Sequence, residues 1–336
     1  INLNCALTKS YTASGRVQVI RVPRFNNLTI QNNSSISCPQ WTGSTGGVVA
    51  IEVAGDLNLD GTGQIEANEK GFRGGVKDNQ TSYNASTGPQ GFLGSFDIVE
   101  GSEKGEGIGG FYTEYDNLFS RYCNGAVANG GGGGNFHNAG GGGGSNVGVG
   151  AYYAYGVPNL GPSNAYVAAW NLDPTINHTQ PSAGGGRGGY SHATANLNPL
   201  TNAPNNTNWS GESRKFTFGF GGHPLAYNAG KIFMGGGGGS GEQNDGDGGS
   251  GGRGGGLVML SVYGNISGTG SINVNGQNGG NAQGPNPSFG QKSGDDGAGG
   301  AGGGGAIRIQ NINPIPGTIS LNAIGGKGGD QIVLLG

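Results

Sequence analysis

Residues 235–256, GGGGGSGEQNDGDGGSGGRGGG, run without a break into residues 257–264, LVMLSVYG. A near-pure glycine tract thus ends in an apolar strand signal, and after a Gly-x-Gly turn a second short strand follows as SINVNG, residues 271–276. Glycine loses more backbone freedom on ordering than any other residue. The tract is therefore either a slack linker or a segment held by specific partners.

The phase of the surrounding sequence favours the second. Gly46-Gly47 is followed by VVAIEV, a polar turn, LNL, Gly61-Thr62-Gly63 and QIEAN. Gly255-Gly256 is followed by LVMLSV, a turn at Gly264-Asn265, Gly268-Thr269-Gly270 and SINVN. Gly304-Gly305 is followed by AIRIQNI, a Pro-bearing turn, Gly317, TISLNAI and Gly325-Gly326. From the second glycine of each pair to the glycine opening the last strand is sixteen, fourteen and twelve residues (47 to 63, 256 to 270, 305 to 317). Three copies share one order, and the terminal IVLLG reads as one more strand. A Gly/Ser linker has no reason to meet a strand in the same phase three times.

The physical alternative is an ordered glycine layer. Glycine-rich chain can adopt an extended, three-per-turn helix without internal hydrogen bonds, and side-by-side copies can satisfy one another's N–H and C=O groups. The candidate runs are 130–134, 140–144, 184–189, 235–239, 248–256 and 297–305. Collagen is excluded because no strict Gly-X-Y register holds. The predicted fold class is all-β with ordered polyglycine II helices, short strands alternating with glycine runs, and very little α-helix. Only residues 111–123, FYTEYDNLFSRYC, have helical spacing. One domain over 1–336 is expected, with N-terminal strands and the first repeat in 1–75, an insert rich in aromatics and Asn in 76–234, and polyglycine/strand repeats in 235–336.

Composition narrows the function. Of 336 residues 79 are glycine, 11% are charged and 33% hydrophobic, with a net charge of −3. No Lys/Arg run or basic stripe offers a nucleic-acid footprint or a polybasic membrane patch. No apolar run reaches the roughly 18 residues of a membrane span. The chain begins at Ile1 and reads as a mature or trimmed form. Three cysteines, Cys5, Cys38 and Cys123, make no disulfide framework; whether Cys5 and Cys38 pair is open at this point. Sequons at positions including Asn27, Asn79, Asn208 and Asn265 fit an extracellular glycoprotein, and whether they carry sugar is equally open.

Trp41-Thr42-Gly43-Ser44-Thr45-Gly46-Gly47 and Lys70-Gly71-Phe72-Arg73-Gly74-Gly75, with the later KIFMGGGGGSG and GGRGGGLVMLSV, resemble the modules of glycine-rich surface proteins of bacteria and phages. The tracts are also similar in type to those of T-even-like phage tail-fibre adhesins and, more distantly, of the anaplastic lymphoma kinase receptor ectodomain. The resemblance covers both ends of the chain but not the middle of the insert. It implies a surface-exposed, non-enzymatic adhesive or structural part with no catalytic residues to carry over.

Chemistry-bearing patterns are sparse. Gly248-Gly249-Ser250-Gly251-Gly252 fits a nucleophile elbow only in letters, because no helix signal follows. The four histidines lie scattered in loop-like sequence, with no pair at helical spacing. Asp245 and Asp247 are spaced like oxygen ligands for calcium, or else are solvated loop tips; no other metal and no cofactor is implied. Tyr152, Tyr153, Tyr155, Trp170 and Trp209 sit among Asn, Ser, Gly and Pro, a composition suited to subunit packing or sugar stacking.

The reading is an extracellular or cell- or virion-surface structural subunit, not an enzyme, that self-assembles into a fibre or filament. The alternatives are a receptor-binding adhesin for glycans or a surface protein, and a polysaccharide-active β-helix enzyme. The expected partner is a second copy of the chain, with a cell-surface glycan or receptor as a further candidate; nucleic acid and membrane insertion are not expected.

Overall fold

The computed structural model describes residues 10, 17–77, 101–110, 121–123, 125–126, 128–134, 139–146, 182–183, 186, 188–189, 219–222, 225, 231–243, 248–282 and 296–330. Its strands are short because each apolar run is cut by a polar corner after two to six residues. A first coil contains β1 (Arg24–Phe25), β2 (Leu28–Ile30) and β3 (Ser35–Ile36). The second contains β4 (Val48–Val53), β5 (Leu57–Leu59) and β6 (Gln64–Glu66). After a detached strand β7 (Ser182–Ala183), the third contains β8 (Leu257–Val262), β9 (Ile266–Gly268) and β10 (Ser271–Asn273). The fourth contains β11 (Ala306–Asn311) and β12 (Ser320–Asn322), and β13 (Ile324–Gly325) leaves it to pair antiparallel with β7.

Successive coils stack in parallel. One sheet has the order β1-β4-β8-β11, a second β2-β5-β9 and a third β12-β10-β6-β3. The result is a three-faced prism, and its register follows from the apolar residues. Val48 pairs with Leu257 and Leu257 with Ala306, so the coils are offset by 209 and then 49 residues. Ile51, Leu260 and Ile309 lie in one row, and Ile36, Ile65 and Ile272 in another. In β4 and β8 every second residue is buried, as a strand with one core-facing side requires.

Leu57, Leu59, Ile65, Val258, Ile272 and Val274 are fully buried at the centre of one continuous cluster. Each such side chain contributes roughly 1.5–3 kcal/mol by leaving water.

The expected fold class is therefore corrected. The described residues contain no α-, 3-10 or π-helix, and the short strands, instead of simply alternating with glycine runs, gather into three parallel sheets. The reason is that a three-residue strand has one apolar face and finds its partner in the next coil, not in the adjacent turn.

The glycine runs fall in neither element, and their hydrogen bonds have a three-residue period. In the run 235–242 the N–H groups of Gly235, Gly238 and Gly241 donate to the carbonyls of Gly255, Gly252 and Gly249. Those of Gly236, Gly239 and Glu242 donate to Ser145, Gly142 and Ala139, and those of Gly237 and Ser240 to Glu106 and Glu103. The run's carbonyls accept in the same rhythm. Gly235 and Gly238 serve Phe72 and Gly75; Gly236, Gly239 and Glu242 serve Gly303, Gly300 and Gly297; Gly237 and Ser240 serve Gly131 and Gly134. One run is thus bonded to six others, donating to three and accepting from three. Partner numbers fall along four of these neighbours and rise along two, so antiparallel and parallel contacts mix. Every peptide group finds a partner without a sheet.

The packing leaves no room for side chains. A Cβ on Gly236 would overlap the carbonyl oxygen of Asn129, and one on Gly254 that of Gly235. At Gly317, in the turn before β12, a Cβ meets nothing within 4 Å. Gly236→Val and Gly254→Val are therefore expected to abolish cooperative unfolding, read by thermal melting, whereas Gly317→Val should leave the midpoint within a few degrees of wild type. Equal tolerance at all three positions would refute the bundle.

Candidate functional site

Two places in the described structure bring chemistry-bearing side chains together. The first is the seam where the prism meets the glycine bundle. Residues 67–75 leave β6 into the bundle, and residues 249–256 leave the bundle into β8. Here Glu106 is almost fully buried and takes four donors. Its Oε1 accepts from Trp41 Nε1 at 3.0 Å and Arg73 Nη2 at 3.4 Å. Its Oε2 accepts from the Arg73 backbone N–H and from Arg73 Nε, each at 3.0 Å. Phe72 meets the Trp41 ring edge-on at 6.3 Å between centroids. Arg253 donates from Nη1 to the Trp41 carbonyl at 3.1 Å. Burial lowers the Arg253 pKa first, the nearby Arg73 charge adds to that, and Glu106 opposes both.

A second largely buried pair joins Arg121 to Glu103. Arg121 Nη2 approaches Glu103 Oε1 at 2.6 Å, and Glu103 Oε2 accepts from the Val76 N–H at 2.7 Å. Burial nonetheless raises the Glu103 pKa against the pull of Arg121. Its neighbour Lys104 is 3% exposed, and desolvation lowers its pKa to about 8, with Cys123 opposing.

The second place is the pair of prism ends. β1, β2 and β3 are outermost at one end; at the other, β11 and β12 are outermost, and no further strand pairs with them among the described residues. Apolar side chains are exposed at both: Val19 and Val22 ahead of β1, and Ile312 (79%) and Leu321 (46%) in the fourth coil.

Along one corner the coils are tied by a directional side-chain ladder. Asn27 Oδ1 accepts from the Asp56 N–H at 2.8 Å, Asp56 Oδ1 from the Asn265 N–H at 2.7 Å, and Asn265 Oδ1 from Asn313 Nδ2 at 3.1 Å. A neighbouring corner stacks Asn32 under Thr62 and, one coil on, Thr269 on the Gly61 carbonyl and Thr318 on that of Gly268. Past the third sheet, Asn68 Oδ1 accepts from Asn275 N–H, and Asn275 Oδ1 from Ile324 N–H. In each of these amide and carboxylate ladders, a side-chain oxygen faces the following coil.

The residues expected from the sequence to make contacts, Tyr152, Tyr153, Tyr155, Trp170 and Trp209, lie outside the described residues, as do the calcium candidates Asp245 and Asp247. Among the described residues no group of three or more His, Cys, Asp or Glu side chains is placed to hold a metal ion. Among the described residues neither Cys38 nor Cys123 forms a disulfide, while Cys5 lies outside the described residues. Burial pushes the Cys38 thiol pKa up, so this is not an activated nucleophile. Asn27 and Asn265, read from the sequence as sequons, are exposed corner residues whose side-chain oxygens carry the ladder. The ladder itself escaped sequence reading, although its signal is there: Asp56 and Asn265 occupy one position in two copies of the repeat, 209 residues apart.

Comparison with protein-family models, with curated proteins and with solved structures returned no match.

Lys104 yields a pH test. Its pKa is lower in the folded chain than the ordinary 10.5, so the stability it contributes is present above about pH 10.5 and lost as pH falls through about 8. Stability should rise by a few kcal/mol between pH 8 and pH 10 relative to Lys104→Met, measured by urea unfolding at each pH. Parallel pH profiles for the two chains would show that Lys104 titrates normally.

Proposed function

We propose that this chain is an extracellular, non-enzymatic structural subunit that stacks head to tail on copies of itself to form a surface fibre or filament. The observation that carries the reading is the polarity of the corner ladder combined with its open ends. Among the described residues, Asn313 Oδ1 ends the series with no donor and the Asn27 N–H begins it with no acceptor. The fourth coil of one copy and the first coil of the next complement each other in the sense in which coils two and three already do.

The surrounding chemistry supports the same contact. Unpaired parallel edges recruit strands, and burying Ile312 and Leu321 against Val19 and Val22 removes apolar surface from water. Because the two ends differ, the contact is heterologous, and a heterologous contact that does not close into a ring grows as a filament. A surface location fits a low-charge chain whose corner sequons Asn27, Asn32, Asn33 and Asn265 are all exposed.

Electron microscopy and sedimentation of the purified chain test the proposal. Filaments should lengthen with concentration, and the double variant Ile312→Asp/Leu321→Asp should stay monomeric with an unchanged thermal midpoint. Dispersed wild-type monomers at millimolar concentration would sink the idea, as would filaments indifferent to the two substitutions.

A further inference from the structure

The net charge of the chain is −3, yet cations outnumber carboxylates at the seam. Arg73 and Arg253 are close enough that the charge of one depresses the pKa of the other, and Glu106 is the carboxylate acting on both. Glu106 has no capacity left for Arg253. Both its oxygens are already engaged by Trp41 Nε1 and by the backbone and side chain of Arg73, at 3.0–3.4 Å. Among the described residues the Arg253 guanidinium makes one hydrogen bond, to the Trp41 carbonyl at 3.1 Å. A guanidinium presents five N–H donors in a planar fork. Arg253 is only half-buried, so this surplus of donors and charge is within reach of solvent.

The cluster is also rigid. Gly43, at φ +98°, lies so close to Arg73 that a Cβ there would stand 2.6 Å from Nη2 and 2.9 Å from Cζ. The guanidinium is therefore held against the backbone on one face while Glu106 fixes its edge. Trp41 is 7% exposed and packs edge-on with Phe72. The Arg253 backbone is pinned from both sides, its N–H donating to Gln277 Oε1 at 3.0 Å and its carbonyl accepting from the Gln277 N–H at 2.7 Å. The Arg253 fork, held beside an Arg73 guanidinium that Glu106 already occupies, is complementary to a planar or tetrahedral oxyanion, which accepts paired N–H bonds.

We propose that Arg253, backed by Arg73, is a binding site for one oxyanion, a carboxylate or sulfate group. Its chemistry is shared by two sources, the acidic groups of a uronate or sulfated polysaccharide and a free small anion. Neither depends on the self-assembly proposed above, since the site lies within one copy.

The test is calorimetric titration of the full chain, dilute enough to be monomeric, with sodium sulfate and separately with an oligogalacturonide and an oligosaccharide sulfate. One anion should bind per chain. Arg253→Gln should weaken binding at least tenfold, Arg253→Lys should weaken it less, and Arg24→Gln, at an exposed surface pair, should change nothing. Tighter binding of either oligosaccharide than of sulfate assigns the site to polysaccharide; equal binding assigns it to a free anion. In parallel, NMR of the wild-type side-chain Nε–H groups should show Arg253 and Arg73 shifting on sulfate addition, a readout that needs no variant to fold. Absence of binding by all three probes overturns the proposal, as does binding that is unchanged in Arg253→Gln or leaves the Arg253 resonance unmoved.

Discussion

The structure depends on backbones approaching one another at distances that a Cβ forbids. Along 235–242 each peptide group bonds sideways to a different run in turn, and the cycle closes every three residues. A methyl at Gly236, Gly237, Gly239 or Gly251 would occupy the space of a neighbouring carbonyl oxygen, so the absence of a side chain is a packing requirement. Ordering each residue costs about 1–2 kcal/mol of backbone entropy, and a hydrogen bond returns about 0.5–1.5 kcal/mol net. A glycine bundle of this kind is therefore close to neutral by itself. It needs an apolar structure from which to grow.

The prism is that structure. Its coils bury Leu, Ile and Val side chains in register, and the strands at its edges continue directly into the glycine runs. The offset of 49 residues set by Leu257 and Ala306 persists beyond the strands, where Asn278 Oδ1 accepts from the Lys327 N–H and Asn281 Oδ1 from the Asp330 N–H. Register is thus fixed by apolar pairing and carried outward by amides. The same device gives the stack a direction, because in the amide ladders each side-chain oxygen serves the next coil. A directional stack has two unlike ends, and the proposed assembly follows from that asymmetry.

Part of this was readable in the sequence. The glycine pairs ending at Gly47, Gly256 and Gly305 mark three coils, and the differences between those numbers, 209 and 49, are the pairing register itself. The first coil was not readable as a copy, since Arg24 to Ile36 has no leading glycine pair and its strands are two or three residues long. The parallel arrangement was hidden for a local reason. Asp60-Gly61-Thr62-Gly63 and Gly268-Thr269-Gly270 carry the turn chemistry of a hairpin, and nothing nearby shows that the partner strand is 209 residues away. The seam was hidden in a similar way. Trp41, Arg73 and Arg253 stand in recognisable glycine-flanked motifs, but Glu106, which joins them, lies in a segment without periodicity. The aromatic and acidic residues that composition singled out lie outside the described residues, so the sites built here come from Asn, Asp, Arg and Glu side chains instead.

Native-state hydrogen exchange of the glycine amides measures the central constraint most directly. If the run 235–242 is held by six hydrogen-bonded neighbours, the amides of Gly236 to Gly239 exchange only through global unfolding, with protection equal to that of Leu260 and Ile272 in the prism core. Exchange of those glycines at the rate of an unstructured chain, while the prism amides remain protected, would contradict the account.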